Sequence, residues 1–486
     1  VYPSPNKDNG YDISDYCNIH PNYGTLQDMD TLIAEAKKRD IRIIMDLVIN
    51  HTSDQHEWFQ KSRRRIEPYT DYYIWRKGEK GKKPTNWGNF FGGDCWEYDD
   101  LRGEYYLHLF AKEQPDLNYH NEAVIEAIEE AMHFWLERGV AGFRCDVINI
   151  IYKEAIKNGK WRPALTGSEY YLSTPGCHRV LHRLHEDVLA KYDAFTVGET
   201  VFVTPKMADD LVNPTREELS TVFAFEHMET DCYKIKWFLR RFNPDCFFAC
   251  LTKWQKALPW NTVYLENHDQ PRSVSRFGND TQYHDESAKA LATLVLTLRG
   301  TPFLYEGQEI GMTNFDFPDM QKVRDVESIN IWNIGKRLHL PRSLRWRMIK
   351  TKSRDNARTP MQWNDSPNAG FTTGTPWLSV NGNYPRINVA EQENAPNSVL
   401  AYYRQLIAFR NGSEILQAGD FSELYRKDGV YAYRRSLNVE SIIVVISLST
   451  KERPNPVSGT VVLSNYGRQE SPACLSPYEA LILREV

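Results

Sequence analysis

No stretch of this 486-residue chain runs apolar for the about 18 residues that a membrane-spanning helix needs, so no membrane anchor is expected. Cysteine is sparse. The eight thiols, Cys17, Cys95, Cys145, Cys177, Cys232, Cys246, Cys250 and Cys474, contain no Cys-x-x-Cys pair. They are too few for a disulfide-stapled secreted scaffold and fit a reducing, cytoplasmic compartment. Excess positive charge is also missing: with a net charge of −5 and a pI near 6.3, the chain has no basic footprint for nucleic acid. His182 and His185 stand three apart without evident partner ligands, so an exposed helix face is expected there and no metal site. What is present is core material. A hydrophobic content of 41 % over this length supports a large core.

Three acidic residues end three apolar, strand-like runs: Asp146 after Val140-Ala-Gly-Phe-Arg-Cys, Glu199 after Ala194-Phe-Thr-Val-Gly, and Asp269 after Thr262-Val-Tyr-Leu-Glu-Asn-His. A single such acid commonly just meets solvent. Three with polar companions (Arg144, His268, and His51 after the run from Ile41 to Asn50) point to glycosidic-bond chemistry. That chemistry needs one carboxylate to attack the sugar carbon and another carboxyl to protonate the leaving oxygen. Period two on a strand puts Arg144 on the face of Asp146, where a guanidinium keeps a nucleophile ionised. Cys145 points to the opposite face, into the core. Glu199 has no basic neighbour in sequence, and apolar shelter would keep it protonated, as a general acid must be.

Helix-period and strand-period segments alternate. Helices are expected over 26–39 and 121–138, the latter ending at Gly139. Strands are expected over Ile41 to Val48, before Asp146, and near 194–199, 221–226, 262–267 and 302–306. Repeated units of this kind imply a parallel sheet, and acids gathered at strand ends imply the catalytic face of a (β/α)8 barrel. Two stretches break the alternation. Residues 52–118, with Trp58, Phe59, Trp75, Trp87, Phe90, Phe91 and Trp96, form an excursion long enough for a lid subdomain. After about residue 412, Val430 to Arg435, Ser441 to Ser449, Gly459 to Ser464 and Tyr478 to Val486 read as antiparallel strands of a β-sandwich that covers the barrel. The expected division is a catalytic barrel of 1–51 and 119–412, an insertion of 52–118 and a sandwich of 413–486.

The motifs Asp46-Leu-Val-Ile-Asn-His51, Gly142-Phe-Arg-Cys-Asp146, Val197-Gly-Glu199 and Glu266-Asn-His-Asp269 resemble, in order, the conserved regions of the α-amylase superfamily of retaining α-glycosidases. Gly10-Tyr-Asp-Ile-Ser-Asp-Tyr16, Gln114-Pro-Asp-Leu-Asn118 and Arg354-Asp-Asn-Ala-Arg-Thr-Pro-Met-Gln-Trp363 are similar to its oligo-1,6-glucosidase and isomaltase branch, close to the sucrose isomerases. The resemblance implies that Asp146 is the nucleophile, Glu199 the acid/base and Asp269 the transition-state stabiliser. It further implies that Tyr11, Asp12, His51, Arg144, His268 and Arg358 line the pocket for the non-reducing-end glucose. By the same resemblance, Val1-Tyr-Pro-Ser-Pro is the end of the second barrel strand, so the N-terminal strands of the barrel, and any calcium loop or signal peptide there, lie outside this sequence. No cofactor is expected, a monomer is, and the partner is a small oligosaccharide.

Val147, directly after Asp146, matches the residue that in this branch accompanies a preference for α-1,6 linkages. The expected activity is exo-hydrolysis of short isomalto-oligosaccharides from the non-reducing end through a covalent glucosyl-enzyme intermediate. Two alternatives stand beside it. Sucrose isomerases or transglucosidases share the triad but carry an arginine-containing loop where this chain reads His227-Met-Glu-Thr-Asp231. Non-catalytic transporter heavy chains share the fold, yet they anchor in a membrane and some lose the acids.

Overall fold

A computed structural model describes residues 1–162, 165–233 and 235–485. The chain folds as two compact units, Val1–Phe225 and Glu226–Val486.

The first unit is built on a four-stranded parallel sheet of Met45–Leu47, Gly142–Cys145, Phe195–Glu199 and Thr221–Phe223, paired in that order. A helix links each strand to the next: Glu122–Glu137, Pro175–Asp187 and Pro205–Val212. Their starts are written locally. The Asn121 side chain accepts from Ala123 N, while Thr174 and Thr204 cap helices whose first residue is proline, pre-set in φ and with no N–H to orphan. Helix Glu122–Glu137 buries Val124, Ile125, Ile128, Met132, Trp135 and Leu136, the stripe its periodicity predicts. The strands are shorter than the apolar runs that contain them. Ile41 and Ile44 are exposed, and ladder pairing begins only at Met45, because a mostly apolar run does not mark where pairing starts.

Residues 52–118 leave and return at one point, since His51 bridges Asp116 and Tyr73 bridges Leu117. Between them Trp75–Arg76, Glu104–Leu107 and Trp96–Asp99 form a three-stranded antiparallel sheet. Its core of Trp87, Trp96, Tyr105 and Leu107 is continuous with Val147 and Ile150, so the aromatic excursion is packed directly behind the Asp146 strand end.

The second unit holds helix Pro244–Ala257, a parallel pair Thr262–Val263 and Thr301–Pro302, and between them the almost wholly buried helix His284–Thr297. A five-stranded antiparallel sheet follows, in the order Asp420–Lys427, Val430–Leu437, Glu440–Ser447, Ala480–Arg484 and Thr460–Ser464. The antiparallel sheet expected after about residue 412 is present. The second layer is only the ribbon Arg453–Pro454 with Cys474–Leu475, which sends Leu475 into the core of Val430, Val445 and Leu481. The other face covers helices of the same unit. Tyr431 stacks on Phe248 at 4.7 Å and pairs with the Thr252 hydroxyl at 2.8 Å, while the buried Arg435 donates to the carbonyls of Thr297 and Gly419.

Candidate active site

In the first unit, Cys145 and Gly198 are register partners, which brings Asp146 and Glu199 to the same level of adjacent strands. Two glycines permit this spacing. Gly142 has φ +149°, and a Cβ there would lie 1.8 Å from Phe195 O; a Cβ on Gly198 would press on Leu219 and Ile148 at 2.7 and 2.9 Å. Arg144 lies between the two acids. Its Nη1 donates to Asp146 Oδ1 and to Asp46 Oδ1, both at 2.7 Å, and its Nη2 donates to Glu199 Oε2 at 2.5 Å. Asp46 is the ladder partner of Arg144, which explains its presence.

Three buried or half-buried carboxyls thus surround one cation. If all ionised, the cluster would carry an uncompensated double negative charge, so it retains a proton more readily than separate carboxyls would. Burial pushes Asp146 well above the usual carboxylate range; Arg144 opposes this, and Glu199 and Asp46 reinforce it. Burial works to lower Arg144, but Glu199, Tyr11, Asp46 and Asp146 hold the guanidinium firmly charged. The electrostatic expectation for Asp146 changes accordingly. Arg144 does not leave Asp146 with a depressed pKa, and Glu199, without a basic neighbour in sequence, has this guanidinium in space.

Val147 carries strain. A β-branched residue at φ 37°, ψ 39° occupies the left-handed region at a cost of about 1–3 kcal/mol. The excursion's core grips its side chain, and its N–H reaches Glu199 Oε2 at 3.4 Å.

Tyr11 stands against this cluster, its hydroxyl 3.4 Å from both Asp46 Oδ2 and Arg144 Nη1 and its ring 5.6 Å from the guanidinium. His51 is fully buried, with Nε2 3.2 Å from Tyr11 O; burial lowers its pKa, so the ring is neutral at pH 7. An aromatic ladder runs outward from it through Phe110 and Phe90 to the exposed Phe202. Asp12 is the exception. Its carboxylate accepts from Ser4 Oγ at 2.9 Å, Lys7 N at 2.9 Å and Asp8 N at 3.1 Å, so it organises the 4–12 loop and is fully buried there. Burial raises its pKa, and those donors offset part of the rise. Asp8 instead reaches the His51 neighbourhood, accepting from Gln114 Nε2 at 3.3 Å.

In the second unit, Arg358 Nη2 donates to Asp269 Oδ1 at 2.5 Å and its Nε to His268 O at 2.8 Å. Arg354 lies 3.5 Å from Asp269 Oδ1, and His268 Nε2 lies 3.7 Å from Oδ2. Burial alone would raise Asp269, but His268, Arg354, Arg358 and Lys236 pull it well below the usual carboxylate range, so it is ionised. Its neighbour Glu266 is structural, taken up by Arg272 and Ser273.

The family described as "Alpha amylase, catalytic domain" matches residues 1–419. The chain belongs to the α-amylase family. The match ends one residue before the first strand of the C-terminal antiparallel sheet, so an α-amylase catalytic domain is followed here by a sheet domain. The oligo-1,6-glucosidase of Parageobacillus thermoglucosidasius is 46 % identical over 507 residues, covering 100 % of this chain and 90 % of that protein. The crystal structure of isomaltulose synthase from Klebsiella sp. LX3 superposes with a TM-score of 0.96 at 38 % identity, covering 99 % of this chain and 90 % of that one. That of Bacillus licheniformis trehalose-6-phosphate hydrolase gives 0.92 at 41 % identity, covering 100 % and 90 %. The protein is an α-amylase family glycoside hydrolase.

Within this α-amylase family site, the sequence reasoning overlooked three groups. Asp46 opens a quoted motif and sits beside Arg144 in register, and Gln114 opens another, so both were within reach of the sequence; Asp8 carries no local signal. Among the described residues no cluster of three or more His, Cys, Asp or Glu is arranged to hold a metal ion, and no helix is long and apolar enough to cross a membrane. His182 bonds Arg216 O on its helix face.

Proposed function

We propose that this enzyme is a retaining α-glucosidase that removes glucose from the non-reducing end of short α-1,6-linked oligosaccharides. The observation that carries the proposal is the shared guanidinium of Arg144, which holds Asp146 and Glu199 side by side at the ends of adjacent strands. In the proposed cycle the reactive form carries the cluster's proton on Glu199: Asp146, ionised, attacks the anomeric carbon while Glu199 protonates the departing oxygen. Water, deprotonated by Glu199, then displaces Asp146 and releases α-glucose. Asp269, ionised, has the role of binding ring hydroxyls as positive charge develops at the anomeric centre. Tyr11, His51, Arg144, His268 and Arg358 are proposed to line the glucose subsite, with Asp8 in place of Asp12. Two carboxyl groups and water complete this chemistry, so no cofactor is included.

The fold proposed for the catalytic domain is a (β/α)8 barrel with 52–118 as an inserted lid. Linkage preference rests on the oligo-1,6-glucosidase relative. Isomerisation of sucrose is the second reading, favoured by the high similarity to an isomaltulose synthase. Against it, the segment His227 to Asp231 contributes no arginine of its own, and its Asp231 is taken up by Arg276 and Lys352 at 2.7 Å. A monomer in a reducing, cytoplasmic compartment is part of the proposal, the eight free thiols supporting the compartment. The test is a panel of isomaltose, maltose, sucrose and trehalose 6-phosphate with product identification. Fastest turnover of isomaltose to glucose supports the proposal, whereas isomaltulose formed from sucrose, or a clear preference for either other sugar, replaces it.

A further inference from the structure

Behind the site a buried polar chain leads to His51 from Lys153, Asp116 and Asn50, three groups with no part in the proposed mechanism. Lys153 is 2 % exposed, Asp116 and Asn50 not at all, and His51 1 %. Lys153 Nζ donates to Asn50 Oδ1 at 2.7 Å and to Ile151 O at 3.3 Å, and forms an ion pair with Asp116 Oδ2 at 2.7 Å.

An ammonium only donates. The oxygen of the Asn50 amide must therefore face Lys153, which turns Nδ2 toward His51 Nδ1 at 3.1 Å. A donor at that position makes Nδ1 the acceptor and places the proton of the neutral ring on Nε2, which donates to Tyr11 O at 3.2 Å. On its other side His51 meets a competing bias. Ala111 N fixes Gln114 Oε1 at 3.0 Å, which leaves Gln114 Nε2 as a second donor 3.1 Å from His51 Nε2. Gln114 alone would select the opposite tautomer. Tyr11, held through its carbonyl, is the residue whose hydroxyl contacts Arg144 and Asp46.

We infer that Lys153 is a positioning residue for the active site: by fixing the Asn50 amide it locks His51 in the Nε2–H tautomer and thereby holds Tyr11 against the Arg144 cluster. Removing the ammonium lets Asn50 turn over and hands the choice to Gln114, so the proton moves to Nδ1 and the bond to Tyr11 O is lost.

The test is 15N NMR of histidine-labelled full-length protein, with His51→Gln identifying the His51 signal, alongside steady-state kinetics on isomaltose. Wild type and Lys153→Arg show Nε2–H; Lys153→Met and the near-isosteric Asn50→Asp show Nδ1–H with kcat/KM lower by about tenfold, the size of one lost hydrogen bond. Should Lys153→Met fail to fold, Asn50→Asp keeps Lys153 and Asp116 paired and decides alone. Nδ1–H in the wild type, Nε2–H persisting in Asn50→Asp, or a tautomer change without a kinetic effect would each overturn the inference. The kinetic arm rests on the α-glucosidase reading, but the tautomer arm needs no turnover, so the two failures are distinguishable.

Discussion

Arg144 donates through Nη2 to Glu199 Oε2 at 2.5 Å, although 55 residues separate them. The same guanidinium holds Asp146 through Nη1 at 2.7 Å, so one side chain sets the spacing of the two carboxyls.

Asp146→Asn should abolish turnover, by at least about a thousandfold for a lost nucleophile, while the fold is kept. Because burial raises Asp146, its contribution to stability is present below the ordinary carboxylate pKa and is lost as pH rises through the folded value. The variant escapes that loss. Its melting temperature should equal or exceed wild type at pH 7, and the gap should close toward pH 4, read by thermal unfolding and activity together.

Replacing Arg144 by Met strips the shared cation from three carboxyls. Breaking a buried pair in this way costs about 3–5 kcal/mol, so denaturant unfolding should show a large loss with catalysis. Arg144→Lys keeps the charge without the fork that spans Asp146 and Glu199, so most of the stability should return and little of the activity.

Asp12→Ala removes the acceptor of two backbone N–H groups and one hydroxyl. Unfolding should show a loss of about 2–4 kcal/mol from unsatisfied buried donors. If Asp12 bound the sugar directly, the defect would lie in KM with stability untouched.

The depressed pKa of Asp269 gives the opposite sign. Its stabilisation is complete above the usual carboxylate pKa and fades as pH falls through the lower folded value. The stability difference between wild type and Asp269→Asn should be largest near neutrality and shrink below about pH 4. An unchanged difference down to pH 2 would mean that Arg358 and Arg354 do not bias this carboxyl.

Much of this site was legible because it is local. Period two places Arg144 with Asp146, and helix Glu122–Glu137 ends just before Gly139, as its pattern predicts. What the sequence hides is partnership at a distance. Glu199 reads as isolated because its cation arrives from a neighbouring strand. Asp12 reads as a ligand because its motif sits beside Tyr11, while the donors that consume it come from residues 4–8. Strand Asp420–Lys427 was missed because none of its residues is fully buried, Leu424 faces outward and Glu423 sits on the half-buried face, so no apolar alternation marks it. The sheet within 52–118 was missed because its strands are two to four residues long, shorter than an alternation pattern needs.

The central claim is that Asp146 and Glu199 act as nucleophile and acid/base on one anomeric carbon. The most direct test is 1H NMR of the first glucose released from isomaltose, before mutarotation. α-Glucose, with the label of a trapped glucosyl intermediate on Asp146, is the result this account predicts. β-Glucose as the first product would contradict it.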